Sequence, residues 1–147
     1  RAAENGCRGG HMDASTLQYG MSTTVDLPYE RAVERTREAL SEEGFGVLSE
    51  IDVRATLRKK LDVEFPPYVI LGACNPPFAH QALTAERNIG LLLPCNVVVY
   101  ATDEAGKSVV AAVDPEVSLG RVGNEELAPL ASDVKVRLRR VLDAVTA

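Results

Sequence analysis

The sequence predicts an α+β fold, a mostly antiparallel sheet of about five strands with helices packed on it. Three observations carry that prediction. Apolar runs of strand length alternate with helical periodicities in the order β-α-β-(α)-β-α-β-β-α. Glu104-Ala105-Gly106 joins two strand-like runs as a hairpin turn, which argues for antiparallel pairing. The chain then closes on one long amphipathic helix. At 147 residues it predicts a single domain, long enough to enclose a core without disulfides or metal.

The first twelve residues, RAAENGCRGGHM, are Gly-rich, lack hydrophobic periodicity and end in His-Met, as expression tags often do. Residues 1–18 therefore read as a tag and a disordered lead-in, which sets Cys7 and His11 aside, and residues 19–147 as the domain. Residues 20–27 alternate Met21, Thr23 and Val25 with small polar residues and predict the first strand. Pro28 suits a first helical position, Glu30 the first turn, and Ala32, Val33, Thr36, Ala39 and Leu40 recur at helical spacing until Gly44. Residues 45–51 predict a second strand. Asp52 can cap a short helix over residues 53–60 with Val53, Leu57 and Leu61 as its apolar side; a strand competes there.

Pro66-Pro67 breaks the chain before an apolar strand at residues 68–73. Asn75-Pro76-Pro77 is a helix start, asparagine as cap and proline at the first position, for a helix to about residue 86 that buries Phe78, Ala79, Ala82 and Leu83. Residues 91–101 predict a strand in which Pro94 favours an edge or a bulge. Residues 108–113 complete the hairpin, Asp114-Pro115 starts a loop, and Gly123 or Asn124 caps the final helix from about residue 125. Its stripe is Leu127, Leu130, Val134, Leu138, Val141, Leu142 and Val145, and Pro129 falls near its first turn.

Composition excludes several classes. Net charge is −5, and the strongest basic cluster, Arg58-Lys59-Lys60 with Arg54, is short enough to be a solvated helix face. An acidic chain with four tyrosines, three phenylalanines and no tryptophan is poorly equipped for nucleic acid. No apolar run reaches the roughly 18–20 residues that span a bilayer, so no membrane partner is expected. Residues 89–101 come closest but contain Pro94 and Cys95. Two cysteines in a domain that needs no stapling fit a cytoplasmic location.

Chemistry concentrates in residues 68–100, YVILGACNPPFAHQALTAERNIGLLLPCNVVVY. Cys74 and Cys95 are each followed by asparagine, Asn75 and Asn96, and each lies near a proline. Cys74 immediately precedes a helix cap, where unpaired N–H groups and the dipole stabilise a thiolate. The bland alternative is a small buried hydrophobe closing a strand-to-helix turn. Cys95 either faces a pocket beside a bent strand or fills an irregular core position. His80 completes a possible three-ligand set with Cys74 and Cys95 for zinc or another thiophilic metal, though the spacing matches no established zinc pattern. A nucleophile elbow, a phosphate loop and an HExxH pair are absent. Glu42-Glu43 and Glu125-Glu126 are adjacent pairs at helix ends, which gives glycosidase chemistry no support. The Asp114 carboxylate is a candidate to reach the cysteine region.

GACNPPFAHQAL, then GLLLPCNVVVY, then AAVDP and a terminal amphipathic helix resemble the domain of unknown function 302 family. The upstream run PYERAVERTREALSEEGFGVLSEIDVRATLRKKL resembles the first half of the same domain, so the likeness covers residues 20–145. The resemblance implies a bacterial α+β domain that pairs into homodimers, and it implies no reaction.

Three readings follow. The first is a cytosolic homodimer, paired through its terminal helix or a strand edge, that binds a small ligand or thiophilic metal at Cys74, Asn75, Cys95 and Asn96. The second is a thiol enzyme or redox protein with Cys74 as nucleophile, Cys95 as resolving thiol and His80 a candidate base. The third is a structural or interaction domain without a small ligand.

Overall fold

The computed structural model describes residues 15–147; Cys7 and His11 lie outside the described residues. The strands are β1 (Ser15–Thr16), β2 (Gly20–Val25), β3 (Gly46–Asp52), β4 (Tyr68–Cys74), β5 (Cys95–Ala101) and β6 (Ser108–Val113). The α-helices are α1 (Tyr29–Glu42), α2 (Val53–Leu61), α3 (Pro76–Ala85), α4 (Pro115–Gly120) and α5 (Ala128–Thr146). The strands form one antiparallel sheet in the order β1-β2-β6-β5-β4-β3. The α+β fold predicted from the sequence is the fold observed. Ser15–Thr16, in the segment expected to be a lead-in, pairs with β2 at the sheet edge.

Register explains the core. Val69, Leu71 and Ala73 of β4 stand opposite Val99, Val97 and Cys95 of β5, and Val97 and Val99 stand opposite Ala112 and Val110 of β6. Side chains alternate across a strand, so these residues share one face, and all of them are buried. Helices α1 and α5 cover that inner face, α1 with Ala32, Thr36, Ala39 and Leu40, and α5 with Ala131, Val134, Leu138, Val141, Leu142 and Val145. Each large aliphatic side chain so enclosed contributes roughly 1.5–3 kcal/mol of transfer free energy. A polar clamp joins α5 to α4: Lys135 Nζ sits 3.0 Å from Asp114 Oδ2 and 3.1 Å from Glu116 Oε1.

Among the described residues the outer face has no such cover. Ile70, Val98, Ala111, Val109 and Val113 lie there, only partly buried. Tyr68 and Tyr100 stack beside them with ring centroids 5.2 Å apart, and Phe65 meets Tyr68 edge-on at 6.2 Å. Aromatics scattered along the chain are thus gathered at one place.

Local signals set most boundaries. Gly44 follows α1 at φ +87°, the left-handed conformation that a glycine relieves at a helix end. Asp52 caps α2 by accepting from the Ala55 N–H at 2.8 Å.

Other expectations are corrected. Pro28 is the residue before α1, not its first. Helix α2 forms, but its apolar side is not buried, and Leu61 is 65% exposed, because α2 packs mainly along β3 and β4. Pro94 is neither in an edge strand nor at a bulge: the strand begins after it, β5 is central, and the Leu93–Pro94 peptide is cis. Residues expected to extend that strand form a 3₁₀ helix, Arg87–Leu92, and the bulge lies in β3 between Val47 and Ser49. Asp114-Pro115 starts the short helix α4 instead of a loop. Asn124 caps a 3₁₀ turn, Glu125–Leu127, before α5.

Candidate functional site

Strand β4 ends at Cys74, Asn75 caps α3, and the chain returns through the 3₁₀ helix and Pro94 to start β5 at Cys95. Because Ala73 is the register partner of Cys95, Cys74 lies one residue past the point where the strands meet. Both cysteines line one cleft of about 260 Å³, with Phe45, Phe78, Leu83 and Pro94 among its apolar walls. Both thiols are free; Cys74 is half-buried and Cys95 buried. Twenty-one positions apart in sequence, the two are neighbours at one end of the sheet because antiparallel pairing folds β5 back on β4.

Gly72 allows this approach. A Cβ there would stand 2.3 Å from Ser49 Oγ and 2.8 Å from Pro94 Cγ, closer than real carbons come. The cis-Pro94 ring therefore lies against a strand position that only glycine fills without displacement.

The electrostatics differ between the sulfurs. Burial, with Cys74 as a lesser contributor, pushes the Cys95 thiol up to about 11. Cys95 is accordingly a neutral, protonated wall of the cleft near pH 7. The donors expected to face Cys74 are missing. Pro76 and Pro77 carry no N–H, the Phe78 N–H donates to Asn75 Oδ1 at 3.3 Å, and the Ala79 N–H donates to Asn75 O at 2.9 Å.

Two candidate residues do not join the cleft. Asn96 alternates with Cys95 along β5, so it is exposed on the outer side of the sheet. His80 is exposed on α3 and does not line the cleft. The set Cys74–His80–Cys95 is therefore not assembled, and among the described residues no three potential ligands cluster for a metal. Asp114 does not serve the cysteines either: its carboxylate accepts from the Glu116 N–H at 2.9 Å and pairs with Lys135. Leu83, expected in the core, is 38% exposed at the cleft rim.

A larger cavity, about 480 Å³, lies between α4 and the start of α5, lined by Glu116, Leu119, Asn124, Leu127 and Ala131 among others. The sequence reading missed it; the small residues Gly120, Gly123, Ala128 and Ala131, spaced through that region, were the available signal. Its polar groups hold the fold together. Asn124 caps the 3₁₀ turn and donates to Ala85 O and Glu86 Oε1, and Glu116 pairs with Lys135. The smaller cleft, apolar and carrying the thiol of Cys74, is the better candidate for a ligand.

No helix among the described residues is long and apolar enough to cross a membrane. No curated protein matches the chain. Its fold is similar to the crystal structure of an uncharacterized conserved protein DUF302 from Bacillus stearothermophilus. The TM-score is 0.80 and the identity 32%, over 88% of this chain and 99% of that one. The family model "Domain of unknown function DUF302" matches residues 21–145. With the cleft and both cysteine motifs inside that span, the chain belongs to the DUF302 family.

Proposed function

We propose that this chain is a cytosolic, homodimeric binding domain whose cleft, walled by Cys74, Asn75 and Cys95, holds a small ligand. One observation carries the reading: two cysteine motifs distant in sequence meet at a single apolar cleft of about 260 Å³. Such clefts, apolar with a few polar groups, are where proteins commonly bury small molecules. Free thiols suit a reducing compartment. Self-association is supported by the outer sheet face, where Ile70, Val98 and Ala111 stand without a covering helix. The terminal helix is a poor dimer surface because its apolar stripe is used internally.

The thiol-enzyme reading has less support. A redox pair needs a resolving thiolate, and Cys95 holds its proton up to about pH 11. General-base activation of Cys74 needs a neighbour, and His80 is exposed and does not line the cleft.

The test is a small-molecule screen read by melting temperature, followed by mass spectrometry of Cys74 alkylation with iodoacetamide. A ligand that raises the melting temperature is expected to protect Cys74. Hits that stabilise the protein yet leave Cys74 equally reactive would place the ligand elsewhere and remove the proposal.

A further inference from the structure

We infer that the ligand of this cleft is an uncharged, predominantly hydrocarbon small molecule, and not a phosphate or carboxylate. The inference rests on the binding reading above and adds the chemical class. A cleft at the start of a helix is ordinarily an anion site, because the first-turn N–H groups point outward with the positive end of the dipole. Here that site is cancelled by sequence. Prolines occupy the first two positions of α3, and the N–H groups of Phe78 and Ala79 are both consumed by Asn75.

The donors that remain, the Asn75 carboxamide and the Cys74 thiol, are uncharged. Among the described residues no lysine, arginine or histidine lines the cleft. The nearby Arg137 is committed, Nη1 donating to Glu43 O at 3.1 Å and Nε pairing with Asp133 Oδ2 at 3.4 Å. An anion drawn in against this lining would lose hydration with only neutral donors in return, a net cost in an apolar setting. Hydrocarbon faces no such penalty against Phe45, Phe78, Leu93 and Pro94, and it would cover Leu48 and Leu83, now 70% and 38% exposed. A cavity of roughly 150 Å³ lined by apolar side chains takes up benzene. At about 260 Å³ this cleft is larger. It has room for two fused rings or a chain on the order of eight carbons.

The experiment uses matched pairs on the full chain at pH 8: 1-octanol against octanoate, and 2-naphthalenemethanol against 2-naphthoate. Cys74 alkylation and melting temperature are read for each. The neutral members are expected to slow alkylation and raise the melting temperature, with their anions at least about tenfold weaker. Anions that protect Cys74 as well as the alcohols overturn the inference while leaving the binding site in place. If neither class protects, the site reading falls with it. Leu83→Arg, made at a side chain already partly in solvent, adds a cation to the rim and is expected to narrow or reverse the preference. An unchanged ratio in a folded Leu83→Arg protein would mean that selectivity is set outside this cleft, and the inference fails.

Discussion

The two faces of the sheet share a composition and differ in what covers them. On the inner face Val69, Leu71, Val97, Val99 and Val110 are sealed beneath α1 and α5. On the outer face Ile70, Val98, Val109 and Ala111 alternate with them along the same strands, yet they remain partly exposed. Strands apolar on both sides, such as YVILGAC and SVVAAV, belong in sheets covered twice. Among the described residues only one such cover exists. The cleft lies at the open end of the sheet, where α3 and Pro94 close the layer incompletely. Function is therefore sought where packing stops, and association where packing is missing.

The sharpest way to break this comparison is to remove packing from the sealed face. Leu138→Ala, at a fully buried position of α5, is expected to cost about 2–5 kcal/mol in urea unfolding. A loss below about 1 kcal/mol would show that the inner face is not the core. Next comes Gly72→Ala on the other side of β4, expected to lose about 1–3 kcal/mol by pushing Ser49 and the Pro94 ring off the strand. Its Cys74 should also alkylate at a changed rate; full stability with unchanged reactivity would contradict the close packing described.

A smaller effect concerns pH. Burial holds the folded Cys95 thiol at about 11 against an ordinary 9.0. A pKa raised on folding contributes stability that is complete below pH 9 and is lost as pH rises toward 11. Stability should thus fall across that window, and Cys95→Ala should flatten the slope; an identical slope in the variant excludes Cys95 as its source. Least disruptive to the fold is Val98→Lys on the outer face. It is expected to leave the circular dichroism spectrum unchanged while halving the mass seen by light scattering. A variant that keeps the dimer mass, or a parent that is already monomeric, rules out this face as the association surface.

Much of the architecture was legible because it is written in short-range chemistry. The Asn75-Pro76 start of α3, the Asp52 cap, Gly44 after α1 and the turn around Gly106 are each specified within a few residues. The misreadings have a common form. His80 and Asn96 are near the cysteines in sequence, yet strand alternation sends Asn96 to the outer face, and His80 is exposed outside the cleft. The stretch before Cys95 is apolar enough to suggest a strand, yet it coils as a 3₁₀ helix into a cis-Pro94 that sits on Gly72.

What the sequence alone determined is the order and kind of the principal strands and helices, the family, and the two motifs in which cysteine chemistry could reside. Only the tertiary structure decided that Cys74 and Cys95 share a cleft, that prolines and Asn75 take up the helix-start N–H groups there, and that among the described residues one apolar face goes uncovered. The reason is range: caps, turns and periodicity act over a few residues, whereas a cleft arises from strand register and helix placement, which depend on contacts between distant parts of the chain.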